Sequence, residues 1–572
     1  MKRKNFFLFL GIILFSAVLR FYRLDEVPPA LFSDEVDLGY QAYSFLKTGR
    51  DYFGNFLPIH FHSFADYRTP LYLYSAVPTI AIFELNEWGV RLPAAIYGVL
   101  GIIFFFFLIK QISKKTSLAL FGAFLLSITP WHIHYSRSGF EVTAMLFFLN
   151  LSLWLFFKEL AGKKGFFLSA VFFALTFYTY APVKLFLPLL FLSLVIFLKK
   201  EIFKTDKKKL LFSGMIFLVF LLPMIKDSFL GKANFRLSYI NIFTQPTIAG
   251  QVNQWRQEDA RKKNLVGIGV IPPKISFVFH NKPIFWFFAF LQNYLEAFSP
   301  SFLFIRGDPN LRHSLPGLGL LLPVFLPFLL LGFLQSFSED KNNYFWLIFL
   351  LFSPVAAALT IDGANHATRL SLMILPLVYY TAFGLTATIN YLKRQKFCYF
   401  FDFLILMLFL MNFAYYLHFY YYHYSFASER FWHFGLKEGI NKALKSDGEN
   451  EYNQIIFSGS YERPLIFFLF WSKQDPKVFE IRDVKDFNVP WFQGKQYGKY
   501  YFGEITEKYL EKLIEERKRN DYKKILFLVS RNDFQTDLEK NVPKPFKLID
   551  KINLPSGEPI LYLLRTKFFL EQ

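Results

Sequence analysis

The sequence predicts a polytopic α-helical membrane protein of about 11 transmembrane helices, with interfacial helices in its external loops and a small C-terminal α/β extracytoplasmic domain. Three observations carry this. Apolar runs long enough to cross a hydrocarbon core of about 30 Å recur along the chain. Tracts rich in Lys and Arg fall in alternate connectors, as they do in cytoplasmic loops. Beyond residue 425 the pattern changes to short apolar strands between amphipathic helices. Composition agrees, since the 572 residues are 53% hydrophobic and 21% aromatic, against roughly 45–50% apolar in a soluble domain.

The runs lie at about 5–22, 90–109, 117–135, 140–157, 165–181, 184–198, 210–225, 315–333, 344–360, 370–390 and 399–419. The first has the basic start of a signal peptide but no small-x-small cleavage site, and Arg20 and Arg23 close it; it reads as a retained helix. The tracts MKRK, KQISKK, KELAGKK, KKEIFKTDKKK and LKRQK fall on one side, and HYSRSGFE, TYAPVK and TIDGANHATR on the other. This alternation predicts a multi-pass protein of the plasma membrane with a cytoplasmic N-terminus. An odd number of spans then puts the C-terminal domain outside.

The expected organisation is a transmembrane domain over 1–424 and a C-terminal domain over 425–572. Two long external connectors interrupt the first. In 23–89, Val36, Tyr40, Tyr43 and Leu46 recur at helical spacing, as in a helix lying in the interface; Gly49 and Gly54 then break it. PLYLYSAVPTIAIF, interrupted by Pro70 and Pro78, reads as a second surface-lying tract. In 226–314 the stretch 284–298 could be a twelfth span, a re-entrant helix or an interfacial one; the interfacial reading keeps LKRQK inside. In the C-terminal domain, ERFWHFGLKEGINKALKS and ITEKYLEKLIEERKRN read as amphipathic helices, and NQIIFSGS, KKILFLVS and EPILYLLRT as buried strands.

The net charge of +20 is dispersed in connectors, not gathered on a soluble face, which argues against nucleic-acid binding. The single cysteine, Cys398, excludes an intrachain disulfide and a Cys-rich metal site.

The chemistry-bearing stretch is FSDEVDLGY, which sets Asp34, Glu35, Asp37 and Tyr40 at the membrane boundary, where ionisable groups are costly and tend to be functional. Asp34 is a candidate general base; capping of its helix is the alternative, since Ser33 and Asp34 are both good N-cap residues. Glu35 points about 100° away from Asp34 on a helix, so the two do not flank one bond as a glycosidase pair would, and Glu35 reads as a supporting or acceptor-binding group. Asp37 shares the face of Asp34. Arg68 in FADYRTPLYLY, Arg137 in HIHYSRSGFE, Arg369 with His366 in GANHATRLSL, and Arg306, Arg312 and His313 put cations on that same side. Singly each reads as an interfacial anchor; together they suit a phosphate held at the membrane surface. The pairs His60/His62 and His132/His134 lack the spacing of three or four that helical metal pairs need, so no metal is indicated, although a divalent ion stays open. No Walker sequence and no GxGxxG after a strand is present.

DEVDLGYQAYSFLKTGRDYFGNFLPIHF, DYRTPLYLY and VRLPAAIYGVLG resemble the first external loop and second span of GT-C glycosyltransferases of the protein O-mannosyltransferase and aminoarabinose transferase type, which use dolichyl- or polyprenyl-phosphate sugars. The resemblance covers about residues 25–145. It implies a GT-C fold and transfer, with inversion, from a polyprenyl-phosphate sugar donor to a hydroxyl acceptor on lipid, glycan or protein at the extracytoplasmic face. Asp34 would be the base, Glu35 the second acidic residue of the motif, Arg68 the contact to the lipid phosphate between Asp66–Tyr67 and the Pro-Leu-Tyr run, and Arg137 the functional arginine after the third span. Asp37 stands where mannosyltransferases have histidine. A transporter or flippase of a lipid-linked glycan is the rival reading; it predicts internal repeats and helices broken at mid-membrane.

Overall fold

The structure is a computed structural model that describes residues 2–63, 66–162, 166–230, 240–260, 271–337, 342–395, 398–448, 451–489, 492–505, 524–534, 538–544 and 546–566. Ten helices make up its first part: α1 (Arg3–Phe21), α2 (Ser33–Thr48), α3 (Pro70–Phe83), α4 (Glu87–Ser113), α5 (Thr116–Ile128), α6 (Pro130–Tyr135), α7 (Val142–Gly162), α8 (Phe167–Phe177), α9 (Val183–Ile202) and α10 (Lys207–Leu230). Among the described residues, six helices are long and apolar enough to cross a membrane: Arg3–Phe21, Glu87–Ser113, Val142–Gly162, Lys207–Ser228, Ser371–Leu392 and Cys398–Ser428. Shorter apolar helices accompany them, including Thr116–Ile128 and Phe325–Ser336.

Each expected span contains helix, but proline and glycine cut several short. The 117–135 run divides at Pro130, whose missing N–H and fixed φ start the new helix α6. The 315–333 run becomes helical only at Phe325, past Pro316, Gly317, Gly319 and Pro323. Pro354 divides the 344–360 run into Asn342–Phe352 and Val355–Ala358. Conversely, the tract expected to be broken by Pro70 and Pro78 is one helix, α3: Pro70 occupies its first turn and Pro78 is absorbed inside. At 14 residues it is about 21 Å long, short of a bilayer core. Lys282–Glu296, at 15 residues, is about 22 Å, in keeping with the interfacial reading.

After the short hairpin strands β1 (Phe61–His62) and β2 (Tyr67–Arg68), the expected strands form beyond residue 450 among β3 (Gln454–Ser458), β4 (Lys485–Val489), β5 (Phe492–Tyr497), β6 (Tyr500–Ile505), β7 (Ile525–Ser530), β8 (Phe546–Asn553) and β9 (Pro559–Thr566). These last seven make a mixed sheet of order β4-β5-β6-β3-β7-β9-β8. β3 pairs in parallel with β6 and β7, and the remaining pairs are antiparallel. β7, ILFLVS, is buried at every residue, which is why it reads as a continuous apolar run. Of ERFWHFGLKEGINKALKS only Leu436–Ser446 is helical, entered through Gly435 at φ 94°. ITEKYLEKLIEERKRN lies outside the described residues beyond Ile505.

A short apolar helix, Pro464–Trp471, joins the sheet to the first connector. Its Phe470 meets α2 at Gly39, where an added Cβ would stand 2.4 Å from the Phe470 ring and 2.8 Å from Val90. One hydrophobic cluster therefore contains Val36 and Tyr40 of α2, Tyr72 of α3, Phe467 and Phe470, and Phe457 of the sheet. That packing fixes how α2, which carries the acidic motif, sits against the rest of the chain.

Candidate active site

α2 begins at Ser33 after Phe32, whose extended backbone forms the N-cap without a capping side chain. Asp34 lies in the first turn, where a carboxylate is favoured by the helix dipole. The capping alternative gives way to an ion pair: Arg68 Nη2 is 2.7 Å from Asp34 Oδ1, and Arg68 Nε is 2.9 Å from Asp37 Oδ2. Asp34 and Asp37 share a helix face, so one guanidinium spans both.

Arg68 is delivered by a two-stranded hairpin, β1 (Phe61–His62) and β2 (Tyr67–Arg68), in the register Phe61↔Arg68 and His62↔Tyr67. Gln41 of α2 donates to His62 O at 2.5 Å, and the Tyr67 ring stacks on His62 with centroids 4.7 Å apart. Behind Arg68, Thr69 Oγ1 donates to Thr179 O at 2.7 Å and Leu71 N to Tyr178 O at 3.2 Å. Tyr52 OH donates to Asp37 Oδ1 at 2.6 Å.

Exposure separates the two carboxylates. The Asp37 side chain is 5% exposed and Arg68 16%, whereas Asp34 is 49% exposed and open to an incoming group. Burial pushes the Asp37 carboxyl above its ordinary range, opposed by the Arg68 charge and the Tyr52 hydrogen bond. Burial alone would pull Arg68 down; the charges of Asp34, Asp37 and Glu141 outweigh it, so its guanidinium stays charged.

Glu35, one face round the helix from Asp34, points inward. Its side chain and that of Arg91 are both fully buried. Arg91 Nε and Nη2 donate to Oε1 and Oε2 at 2.9 and 3.0 Å, and Gly139 N donates to Oε1 at 2.7 Å. The remaining Arg91 donors go to Leu24 O, Pro28 O and Ala30 O. Glycine at 139 suits this close approach: a Cβ there would be 3.0 Å from Glu35 Cγ and 3.1 Å from Val90 Cγ1. With both oxygens engaged and no exposure, Glu35 clamps the entry to α2 against α4 and the α6–α7 turn.

Arg137, expected to meet the donor phosphate, also points inward. It is fully buried and donates through Nη1 to Leu19 O and Arg20 O, and through Nη2 to Arg23 O and Val27 O, at 2.9–3.3 Å. Those bonds tie down the end of α1 and use the donors a phosphate would need. Arg369 donates through Nη1 to Asp362 Oδ1 (2.5 Å) and Thr360 Oγ1 (2.7 Å), so its acidic partner is Asp362, not Asp34. Tyr40 is buried and donates to Gln474 O at 3.1 Å, anchoring α2 to the C-terminal segment. Asp66 accepts from Tyr67 N at 2.8 Å and shapes the hairpin. Of the expected residues, the structure thus unites Asp34, Asp37 and Arg68, with Asp66 and Tyr67 beside them.

His366 stacks on His313 with centroids 4.7 Å apart, and His313 Nδ1 lies 2.9 Å from Asp308 Oδ2. Burial, then the charges of His313 and Arg369, pulls the His366 pKa down to about 3. The two histidine pairs noted in the sequence do not converge: His60 contacts Asp227 and Lys184, His62 stacks on Tyr67, His132 faces Arg20 and His134 reaches Arg312 O. A cavity of about 700 Å³ lies between the turn after α1 and helix Leu436–Ser446, lined by Arg23, Glu87, His433 and Lys437; neither Asp34 nor Arg68 lines it.

Sequence reasoning passed over Arg91, Tyr52, Glu141 and Asp308. Arg91 carried a usable signal, an arginine inside an apolar run; Tyr52 carried none, being one of 32 tyrosines.

Fold and sequence together define the class as a multi-pass helical membrane protein with a C-terminal mixed-sheet domain. Residues 67–226 match the family described as dolichyl-phosphate-mannose-protein mannosyltransferase. The candidate mannosyltransferase YkcB of Bacillus subtilis (strain 168) is 28% identical over 175 residues, 30% of this chain. The match spans 23% of that relative's length. Among solved structures, ArnT from Cupriavidus metallidurans bound to undecaprenyl phosphate aligns over 98% of both chains, with a TM-score of 0.51 and 11% identity. The apo oligosaccharyltransferase of Archaeoglobus fulgidus aligns over 82% of this chain and 64% of its own, with a TM-score of 0.48 and 13% identity. The resemblance to GT-C glycosyltransferases read from the sequence is borne out by the family match and by the fold shared with ArnT.

Proposed function

We propose that the protein transfers a sugar from a polyprenyl-phosphate-linked donor to a hydroxyl acceptor at the extracytoplasmic face of the cell membrane. The observation that carries this reading is the contact of one guanidinium with two carboxylates of unequal exposure: Arg68 touches half-exposed Asp34 and buried Asp37. A displacement at the anomeric carbon needs a proton acceptor on the nucleophile and a fixed positive charge on the leaving phosphate, and these two groups supply both. The family description of the 67–226 match and the lipid phosphate bound by ArnT support that class of donor.

In this mechanism the donor phosphate displaces Asp34 from Arg68, which is held from behind by Asp37, itself fixed by the Tyr52 hydroxyl. Asp34, freed of its counter-ion, takes the acceptor hydroxyl proton as the new C–O bond forms. The C–O bond to phosphate breaks, its electron pair leaves on the phosphate oxygen, and Arg68 compensates the charge that develops there. Attack from the face opposite the phosphate inverts the anomeric carbon. A lipid phosphate needs no proton to leave, so a second acid is not required, consistent with Glu35 serving as a clamp. The orientation rests on the alternation of basic tracts, with the N-terminus cytoplasmic and residues 425–572 extracytoplasmic.

The test is transfer by purified protein from radiolabelled polyprenyl-phosphate sugars to hydroxyl acceptors. Wild type should transfer, and Asp34→Asn and Arg68→Ala should lose transfer while remaining folded. Unchanged turnover in both variants would remove the proposal.

A further inference from the structure

We propose that Asp308, His313 and His366 form a binding site for a divalent transition-metal ion. One donor atom from each lies within 4.8 Å of the other two. The three residues come from two segments, the loop after the turn Ser301–Ile305 and the loop before Ser371–Met373, which the fold brings together. The cluster is built, since Asp308 accepts from Asn310 N at 2.8 Å through Oδ1, and from Ala367 N (2.8 Å) and His313 Nδ1 (2.9 Å) through Oδ2. Each carboxylate oxygen offers two lone pairs, so Oδ1 keeps one for an ion.

His366 is left unsatisfied by the fold. Its Nδ1 is shielded from solvent and has no hydrogen-bond partner, an unfavourable arrangement in a protein interior that coordination to an ion would relieve. The chemistry of the set is also selective. Two imidazoles and one carboxylate suit zinc, manganese or iron rather than magnesium or calcium, and leave positions open for an oxygen ligand. Bonds of about 2.0–2.2 Å place ligand atoms roughly 3.4 Å apart, so a spacing within 4.8 Å needs to close by at most about 1.4 Å. The site borders the acidic motif: the Phe140 ring lies 5.9 Å from His313 and 5.1 Å from Phe32, two residues before Asp34.

Ion binding at this site does not depend on the transfer reading, and its readout is metal content rather than turnover. Tag-free full-length protein in detergent is dialysed against chelator and titrated calorimetrically with Zn²⁺, Mn²⁺ and Mg²⁺. The wild type should take up one equivalent of Zn²⁺ in preference to Mg²⁺. His366→Gln and His313→Gln should each weaken binding by about 100-fold or more, beyond the 10- to 100-fold typical of residues that only support a ligand. No stoichiometric uptake, or equal affinity in both variants, overturns the proposal. If a variant fails to fold, Co²⁺ titration of the wild type decides: visible d–d absorption saturating at one equivalent supports the site, and its absence overturns it.

Discussion

Replacing Glu35 separates a clamp from a catalyst. Glu35 and Arg91 are both fully buried, joined by two N–H···O bonds of 2.9 and 3.0 Å, with Gly139 N as a third donor to the carboxylate. Glu35→Met leaves a buried guanidinium with three backbone carbonyls and the Trp432 ring but no counter-charge in contact, and Arg91→Met strands a buried carboxylate. Breaking such a pair from one side costs about 3–5 kcal/mol, whereas replacing both partners by apolar groups is often near neutral. At about 2–4 °C per kcal/mol for a large domain, each single variant should lose about 6–20 °C of Tm. The double variant should lose less than the two single losses combined, because no unpaired charge remains. The assay is thermal unfolding in detergent followed by tryptophan fluorescence, with turnover measured on whatever folded protein survives. Wild-type Tm in Glu35→Met together with abolished turnover would refute the clamp and restore Glu35 to the chemistry.

Two further outcomes follow from the same geometry. Asp37, with its pKa raised by burial, binds a proton in the folded state after the unfolded chain has released it. Its contribution to stability is therefore complete below the ordinary carboxylate pKa of about 4 and declines as pH rises through the higher folded value. Tm of the wild type should fall more steeply than that of Asp37→Asn as pH rises from about 4; parallel profiles would contradict the burial argument. Gly39→Val drives a side chain into Phe470 and Val90 and should cost about 1–3 kcal/mol by overpacking. Phe470→Leu should recover part of that loss in the double variant, and additive losses in thermal unfolding would show that α2 and Pro464–Trp471 do not pack as described.

Much of the architecture was legible because lipid imposes length and apolarity together. Helices such as Glu87–Ser113 and Val142–Gly162 stand where 90–109 and 140–157 were read. Proline was harder to interpret: Pro130 starts a helix, Pro354 divides one, and Pro78 lies within an unbroken α3. Whether a proline starts, divides or sits within a helix depends on tertiary surroundings, which one-dimensional pattern does not carry. The sheet was half visible. The buried strands β3, β7 and β9 announced themselves as apolar runs, while β4, β5 and β6, mixed in polarity, did not.

In the site, chain position and residue type single out Asp34, Asp37 and Arg68, which the fold brings into contact. The surroundings of Glu35 and Arg137 are not legible in the same way, because a buried arginine bonded to carbonyls and an exposed phosphate-binding one look alike in sequence. Only the contacts around Leu19, Arg23 and Val27 separate them. The Asp308–His313–His366 cluster joins residues too far apart in the chain for spacing to reveal.

The most direct test of the central claim, that Asp34 receives the proton while Arg68 holds the phosphate, is to measure donor binding and turnover separately in the two variants. Asp34→Asn should bind polyprenyl phosphate at least as tightly as wild type, since a competing carboxylate is gone, and lose turnover by about 10²- to 10⁴-fold. Arg68→Ala should lose donor affinity. Weakened donor binding in Asp34→Asn with turnover preserved, or unchanged donor affinity in Arg68→Ala, would contradict the account.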